Sequence, residues 1–271
     1  MIAGAYAWEI RKLLHQWRTY LGLGAVVIVP LAFVVAYQVN PPKPGGEQDL
    51  IVQDYVLRSG FILPLIVLFY SSLVLLPAAA ALVAGDIFVA EDQNRTLKTI
   101  LTRSTGRGAI FAAKVLATAT YVLTVVLAFA ATGLVAGGLA YGFDAVPLPP
   151  TAIPPGEAAL RVAGAFGLYA LPLLAITALG LMLSAVGKNS AGAVFGTLTF
   201  AFLVQFVRFL PGLPSWLLTW TLTKPFDAWQ TLIGRPIDTD AVTRAVGVSA
   251  VYVVVTLAIA WRHFTRRDVI G

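Results

Sequence analysis

The 271-residue sequence contains no cysteine and only two histidines, His15 and His263. Without cysteine there are no disulfides, no thiolate catalysis and no cysteine-ligated metal or iron–sulfur centre. The two histidines flank apolar runs instead of facing each other at their midpoints, which excludes haem ligation between membrane spans and leaves interfacial or structural roles. Charge is equally scarce. Only 12% of the residues are charged and 58% are hydrophobic, whereas a soluble domain carries about 25% charged residues as its polar coat. That shortage excludes an ordinary soluble enzyme, and the abundance of apolar residues excludes disorder. A phosphate-binding loop is missing too: Gly187-Lys188-Asn189-Ser190 has the Gly-Lys pair but neither the preceding glycine spacing nor an adjacent Ser or Thr after the lysine.

What the chain has instead is a series of long uncharged runs and a mean hydropathy of +0.82. Crossing the roughly 30 Å hydrocarbon core takes about 20 apolar residues in a helix. Six spans satisfy this, at approximately 20–39, 60–84, 112–140, 162–186, 190–208 and 245–263. The first begins too late and is too long for a signal peptide, so it reads as an uncleaved span. A seventh run, 209–223, is shorter and broken by Pro211 and Pro214, with Trp216, Trp220 and Trp229 nearby. It reads as a re-entrant or interfacial external segment. The predicted fold is therefore all-α and integral to the membrane, a single transmembrane domain over 1–271.

Six spans place both termini on the same side. With the termini inside, twelve basic residues face the cytoplasm and seven face outward, as the positive-inside rule demands of an inner or plasma membrane protein. The net charge of +6 and pI near 9.7 are thus accounted for by topology, and no nucleic-acid partner is implied. Span centres carry no charged residue; Lys114 and Arg208 lie at span ends, which argues against a proton-coupled carrier. Mild polar residues such as Thr118, Thr177 and Ser184 are expected to satisfy neighbouring carbonyls, with Gln205 the candidate for lining a path. Pro30, Pro64, Pro77 and Pro172 interrupt spans and are candidate kinks. Glycines at 133, 137, 138 and 142, and at 192 and 196, permit close helix approach.

Before the first span, Tyr6, Ile10, Leu13, Leu14 and Trp17 recur at three- and four-residue spacing, with Glu9, Arg11, Lys12 and Arg18 between them. The pattern predicts an amphipathic helix in the cytoplasmic interface. The densest charge lies between spans two and three, in GDIFVAEDQNRTLKTILTRSTGRG at 85–108. Its acids Asp86, Glu91 and Asp92 precede its bases Arg95, Lys98, Arg103 and Arg107, which complements a helix dipole, and Ile87, Phe88, Leu97, Ile100 and Leu101 fall on one side. An ordered apolar stripe in a charged loop points to a docking surface.

The run EDQNRTLKTILTRSTGR at 91–107 resembles the loop between spans two and three of type-2 ATP-binding-cassette (ABC) transporter permeases. Glu91, Thr96, Leu97, Leu101, Ser104 and Arg107 match that pattern, while Arg95 stands where the family often has Gly. WEIRKLL at the start, FTRRDVIG at the end and the order of elements between them resemble the same family. The resemblance implies an N-terminal elbow helix, six spans, and a cytoplasmic coupling helix seated on a separate ATPase. It assigns docking to Asp86, Glu91, Asp92, Arg95, Thr96, Leu97, Lys98 and Leu101, with a lesser part for elbow residues Glu9, Arg11 and Lys12. It further implies two copies of an ABC ATPase, a second permease chain (the same or a different one), and no catalytic residue, metal or cofactor in this chain, ATP and Mg being held by the ATPase. Walls without charge suit export of a lipophilic, amphiphilic or peptide-like substrate. Alternatives from other classes are a membrane-embedded lipid-modifying enzyme, drawing on Asp86, Glu91, Asp92 and His15, and a non-catalytic scaffold or sensor.

Overall fold

A computed structural model describes residues 2–41, 58–93, 106–147, 151–207, 210, 212, 214–234 and 236–266. Its helices are α1 (Ile2–Leu14), α2 (Trp17–Val39), α3 (Leu63–Ser71), α4 (Leu75–Ala84), α5 (Val89–Gln93), α6 (Arg107–Tyr141), α7 (Pro155–Val186), α8 (Ser190–Phe206), α9 (Ser215–Trp220), α10 (Thr223–Asp227) and α11 (Thr239–Arg266), with a 3-10 turn at Ala228–Leu232. Among the described residues the only extended pairing is an isolated bridge between Val146 and Ile153. Among the described residues four helices, α2, α6, α7 and α11, are long and apolar enough to cross a membrane. The protein is an all-helical, multi-pass membrane protein.

The remaining apolar helices are less regular than the sequence runs promised. The run at 60–84 is divided: α3 and the following helix, Leu75–Glu91, meet at 58° and together pass as one span, making five. Helix α8 has 17 residues, just short of a full crossing. Proline explains the break. Pro77 has no amide hydrogen for the carbonyl of Leu73 and its ring collides with that turn, so the helix ends at Ser71 and restarts at Leu75. Backbone groups released at membrane depth need protein partners. The Ser72 carbonyl accepts from Gln205 Nε2 at 3.3 Å and from the Tyr169 hydroxyl at 3.4 Å, and the Ser72 hydroxyl donates to the Phe69 carbonyl at 2.7 Å. Pro64 stands in the first turn of α3, where it replaces an amide no helix uses. Pro30 and Pro172 lie inside α2 and α7.

Helix α7 is the spine. Two-thirds (67%) of its apolar window is buried, against 22% for α11, and it packs against α4, α6, α8 and α11. Spans α6 and α11 turn one face to α7 and leave the opposite face apolar and uncovered, as with Leu127 and Leu139 of α6 and Val251 and Val254 of α11, which is the surface lipid requires. Glycine permits the closest approach. A Cβ on Gly137 would lie 2.4 Å from the Gly60 carbonyl oxygen, and one on Gly133 would lie 2.9 Å from Pro64 Cβ. The glycines of the third run therefore seat α6 against the start of α3 within one chain.

The two ends of the bundle are distinct. At one end Ser59 donates to the Asp144 carbonyl, and Arg161, near the start of α7, donates to the carbonyls of Leu232, Ile233 and Gly234. The short helices over 215–232 cover this end, where the sequence predicted an interfacial segment. At the other end, Phe88, Phe111, Trp261 and Phe264 pack ring against ring with centroids 5.2–5.8 Å apart, and the Arg107 guanidinium donates to the Thr265 carbonyl. The start of α6 is thereby tied to the end of α11.

The glycine contact yields a direct test. Gly137→Val forces a side chain into backbone that has nowhere to go, and it should destabilise the detergent-solubilised protein by about 1–3 kcal/mol, the usual range for overpacking. Gly167, with nothing within 4 Å of its missing Cβ, should accept alanine with no loss or a gain of up to about 1 kcal/mol. Thermal unfolding of the two variants distinguishes these outcomes.

Candidate functional site

Beneath the aromatic end of the bundle lies a cluster of six charged side chains drawn from four parts of the chain. Lys114, two turns into α6, has a side chain with no solvent exposure. An ammonium has three hydrogens to donate, and this one has three oxygens around it: Glu91 Oε1 at 2.7 Å, Glu9 Oε1 at 3.0 Å and the Ile87 carbonyl at 3.2 Å. The Phe88 ring centroid is 5.7 Å away, close enough for a cation–π contribution. Lys12, one turn after Glu9 on α1, pairs with Glu91 and stands 3.6 Å from Glu9 Oε2. Arg18, at the start of α2, pairs with Asp86, whose other oxygen accepts from the Ser190 hydroxyl at the start of α8. Three cations meet three carboxylates, so the group is neutral as a whole.

The cluster fastens residues 86–93 to the bundle. Besides the ion pairs of Asp86 and Glu91, the Ser184 hydroxyl near the end of α7 accepts from the amides of Phe88 and Val89 at 3.1 and 3.2 Å. Those amides open the first turn of α5, where no helical carbonyl can reach them. Gln93 donates to the Lys188 carbonyl at 3.3 Å. The partners are spread over several helices, so the segment cannot shift without moving α1, α2, α6, α7 or α8.

Of the residues expected to dock a partner, Asp86 and Glu91 are buried, at 5% and 3% exposure, and are turned inward to these cations. The reason is electrostatic: Lys114 and Arg18 stand where an unpaired charge would be very costly, and the acids of this segment are the nearest counter-charges. Asp92 lies in α5. Arg95, Thr96, Leu97, Lys98 and Leu101 fall outside the described residues. Among the elbow residues, Glu9 and Lys12 join the cluster while Arg11 is exposed. Gln205 is remote from it, fully buried, and donates to the Ser72 carbonyl of the broken span. Sequence reading had Lys114 only as a span-end residue and did not connect it with Glu9; nor did it find the parts of Arg18, Ser184 and Ser190. A lone lysine two turns inside an apolar run, across from a loop rich in acids, was the available signal.

Residues 55–270 match the family DUF2705, described as a protein of unknown function. The chain belongs to this family. No curated protein matches the sequence. The DUF2705 match takes in Asp86, Glu91, Lys114, Ser184 and Ser190 but begins after α1 and α2, so Glu9, Lys12 and Arg18 complete the cluster from outside the matched segment.

The cluster can be probed by substitution and by pH. Lys114→Met leaves Glu9 and Glu91 with only the half-buried Lys12 between them, and breaking a buried pair from one side costs about 3–5 kcal/mol. The double variant Lys114→Met/Glu91→Gln removes charge from both sides and should recover much of that loss in thermal unfolding. As for pH, burial by itself lowers the affinity of Lys12 for its proton, but the carboxylates of Glu91 and Glu9 outweigh burial and raise its pKa above the ordinary 10.5. A raised pKa means the stabilisation is fully present below 10.5 and is lost as pH rises through the folded value. The unfolding temperature of the native chain should therefore fall relative to that of Lys12→Arg, whose guanidinium stays charged, only above about pH 10.5.

Proposed function

We propose that this chain is the transmembrane subunit of an ABC transporter, working as a pair of permease chains with two cytoplasmic ATPases that hold ATP and Mg. The observation that carries this reading is the fastening of residues 86–93 to the surrounding helices through the neutral cluster. A loop whose only task was to connect two spans has no need of buried ion pairs to α1, α2 and α6. A loop that must deliver movement to a bundle does, because rigid transmission requires its base to be fixed. In this reading Asp86 and Glu91 anchor the segment. The ATPase is met by the residues beyond this anchor, Arg95, Thr96, Leu97, Lys98 and Leu101, with Asp92 at their start.

The topology belongs to the same proposal. Counting the bent pair as one span and α8 as another gives six, with both termini and the cluster in the cytoplasm and the short helices over 215–232 outside. Uncharged walls and the broken, glycine-seated second span fit outward movement of a lipophilic, amphiphilic or peptide-like substrate. A lipid-modifying enzyme would use the same acids as proton donors or acceptors; Glu9, Asp86 and Glu91 are instead each paired with a cation, an arrangement that serves fixation better than proton transfer.

The test is co-purification from native membranes in mild detergent, followed by ATPase assay. A nucleotide-hydrolysing subunit should accompany the native chain. Leu97→Asp should release it with little change in the unfolding temperature of the permease, whereas Glu91→Gln should lower both association and stability. A chain that purifies alone under conditions that preserve its fold, with no associated hydrolysis, overturns the proposal.

A further inference from the structure

The cations of the charge cluster, together with Arg161, are all matched to carboxylates. Among the described residues, two at the opposite end of the bundle are not. Lys224 of α10 and Arg244, in the second turn of α11, line one cleft of about 260 Å³, and among the described residues neither forms an ion pair. Lys224 reaches only the Thr219 hydroxyl, at 3.4 Å. The cleft lies between α10 with its following 3-10 turn and the start of α11. Asp227, Thr231 and Asp238 share its wall.

The position of the cleft identifies what reaches it. It stands at the end of α7 where Arg161 holds residues 232–234, and Ser184, near the other end of this 32-residue helix, accepts from the amides of Phe88 and Val89 in the segment that carries Asp86 and Glu91. At 1.5 Å per residue, α7 is about 48 Å long, so the cleft is at the far membrane surface. Trp216 and Trp220 nearby are 63% and 67% exposed, as tryptophans of an interfacial belt are. Two cations at headgroup depth, in a recess beside an aromatic belt, match a phosphate carried on a lipid. The first amides of α11 are not available to share it, because Asp238 Oδ1 already accepts from Asp240 and Ala241 at 3.0 Å. The phosphate therefore falls to the two side chains.

We propose that this cleft binds the phosphate of a phospholipid headgroup in the leaflet opposite the charge cluster, through Lys224 and Arg244. Carboxylates on the same wall favour a headgroup that also bears an ammonium, such as phosphoethanolamine, over one that is only anionic. The site goes beyond the transport reading and does not depend on it: no ATPase enters its test.

The test is native mass spectrometry of the full-length chain, delipidated in detergent and titrated separately with phosphatidylethanolamine, phosphatidylglycerol and a phosphate-free diacylglycerol. The native chain should retain phosphatidylethanolamine most strongly and diacylglycerol least. Lys224→Gln/Arg244→Gln should weaken phosphatidylethanolamine binding about tenfold, a loss of some 1.4 kcal/mol, with an unchanged unfolding temperature. Lys224→Arg/Arg244→Lys should retain binding. Equal retention by the native chain and the double glutamine variant overturns the site. Release of the lipid by inorganic phosphate at matched concentration assigns the cleft to free phosphate and overturns the lipid, and phosphatidylglycerol bound as well as phosphatidylethanolamine removes the part given to the carboxylates.

Discussion

The ammonium of Lys114 sits where water does not reach, and much of one end of the molecule is arranged around that fact. A single buried charge is intolerable in an apolar surround, so carboxylates must come to it, and they come from opposite directions: Glu9 on the N-terminal helix and Glu91 on the segment after the broken span. Each brings further obligations. Glu91 also serves Lys12, and the segment that carries it places Asp86 within reach of Arg18 and Ser190. The ion pairs tie α1 and the segment that carries Glu91 to each other and to α6. Replacing such a network by apolar residues often leaves stability unchanged or improved, so its contribution here is a defined attachment more than net stability.

The broken span supplies the complementary property. Below the break, α4 and its continuation are joined to the cluster; above it, α3 is seated on α6 through Gly60, Gly133 and Gly137. Between them only residues 72–74 lie outside the two helices, and one side-chain amide and one phenol hydroxyl hold the carbonyl that the break sets free. Two well-packed pieces thus meet at a short irregular joint, bent by 58°, and Pro77 placed it there.

The membrane class and the all-helical architecture were legible in the sequence because hydropathy is written locally. Runs of about 20 apolar residues, an amphipathic helix at the start and tryptophans near a proline-broken run all stand in contiguous residues. The break in the second span was half legible. Pro77 announced a kink, but whether it would bend or interrupt the helix depended on Gln205 and Tyr169, distant in sequence, being able to hold the released carbonyl. Gln205 meets the same limit, since a polar residue in a span looks alike from the sequence whether it faces a cavity or a neighbouring backbone. The cluster was the least legible. Glu9 and Lys114 are 105 positions apart, and only packing reveals that the polar stripe of α1 includes a residue turned inward.

The equality of positive and negative charges in the cluster has an electrical consequence. A protein in an energised membrane works within a potential that acts on every unpaired charge it moves, at about 2.3 kcal/mol per elementary charge for each 100 mV crossed. Were Lys114 carried along the membrane normal with only part of its company, its displacement would be coupled to the voltage. With three cations and three anions travelling together, the work done on one sign cancels that done on the other. Any displacement of the whole group along the membrane normal is thereby insulated from the state of the membrane.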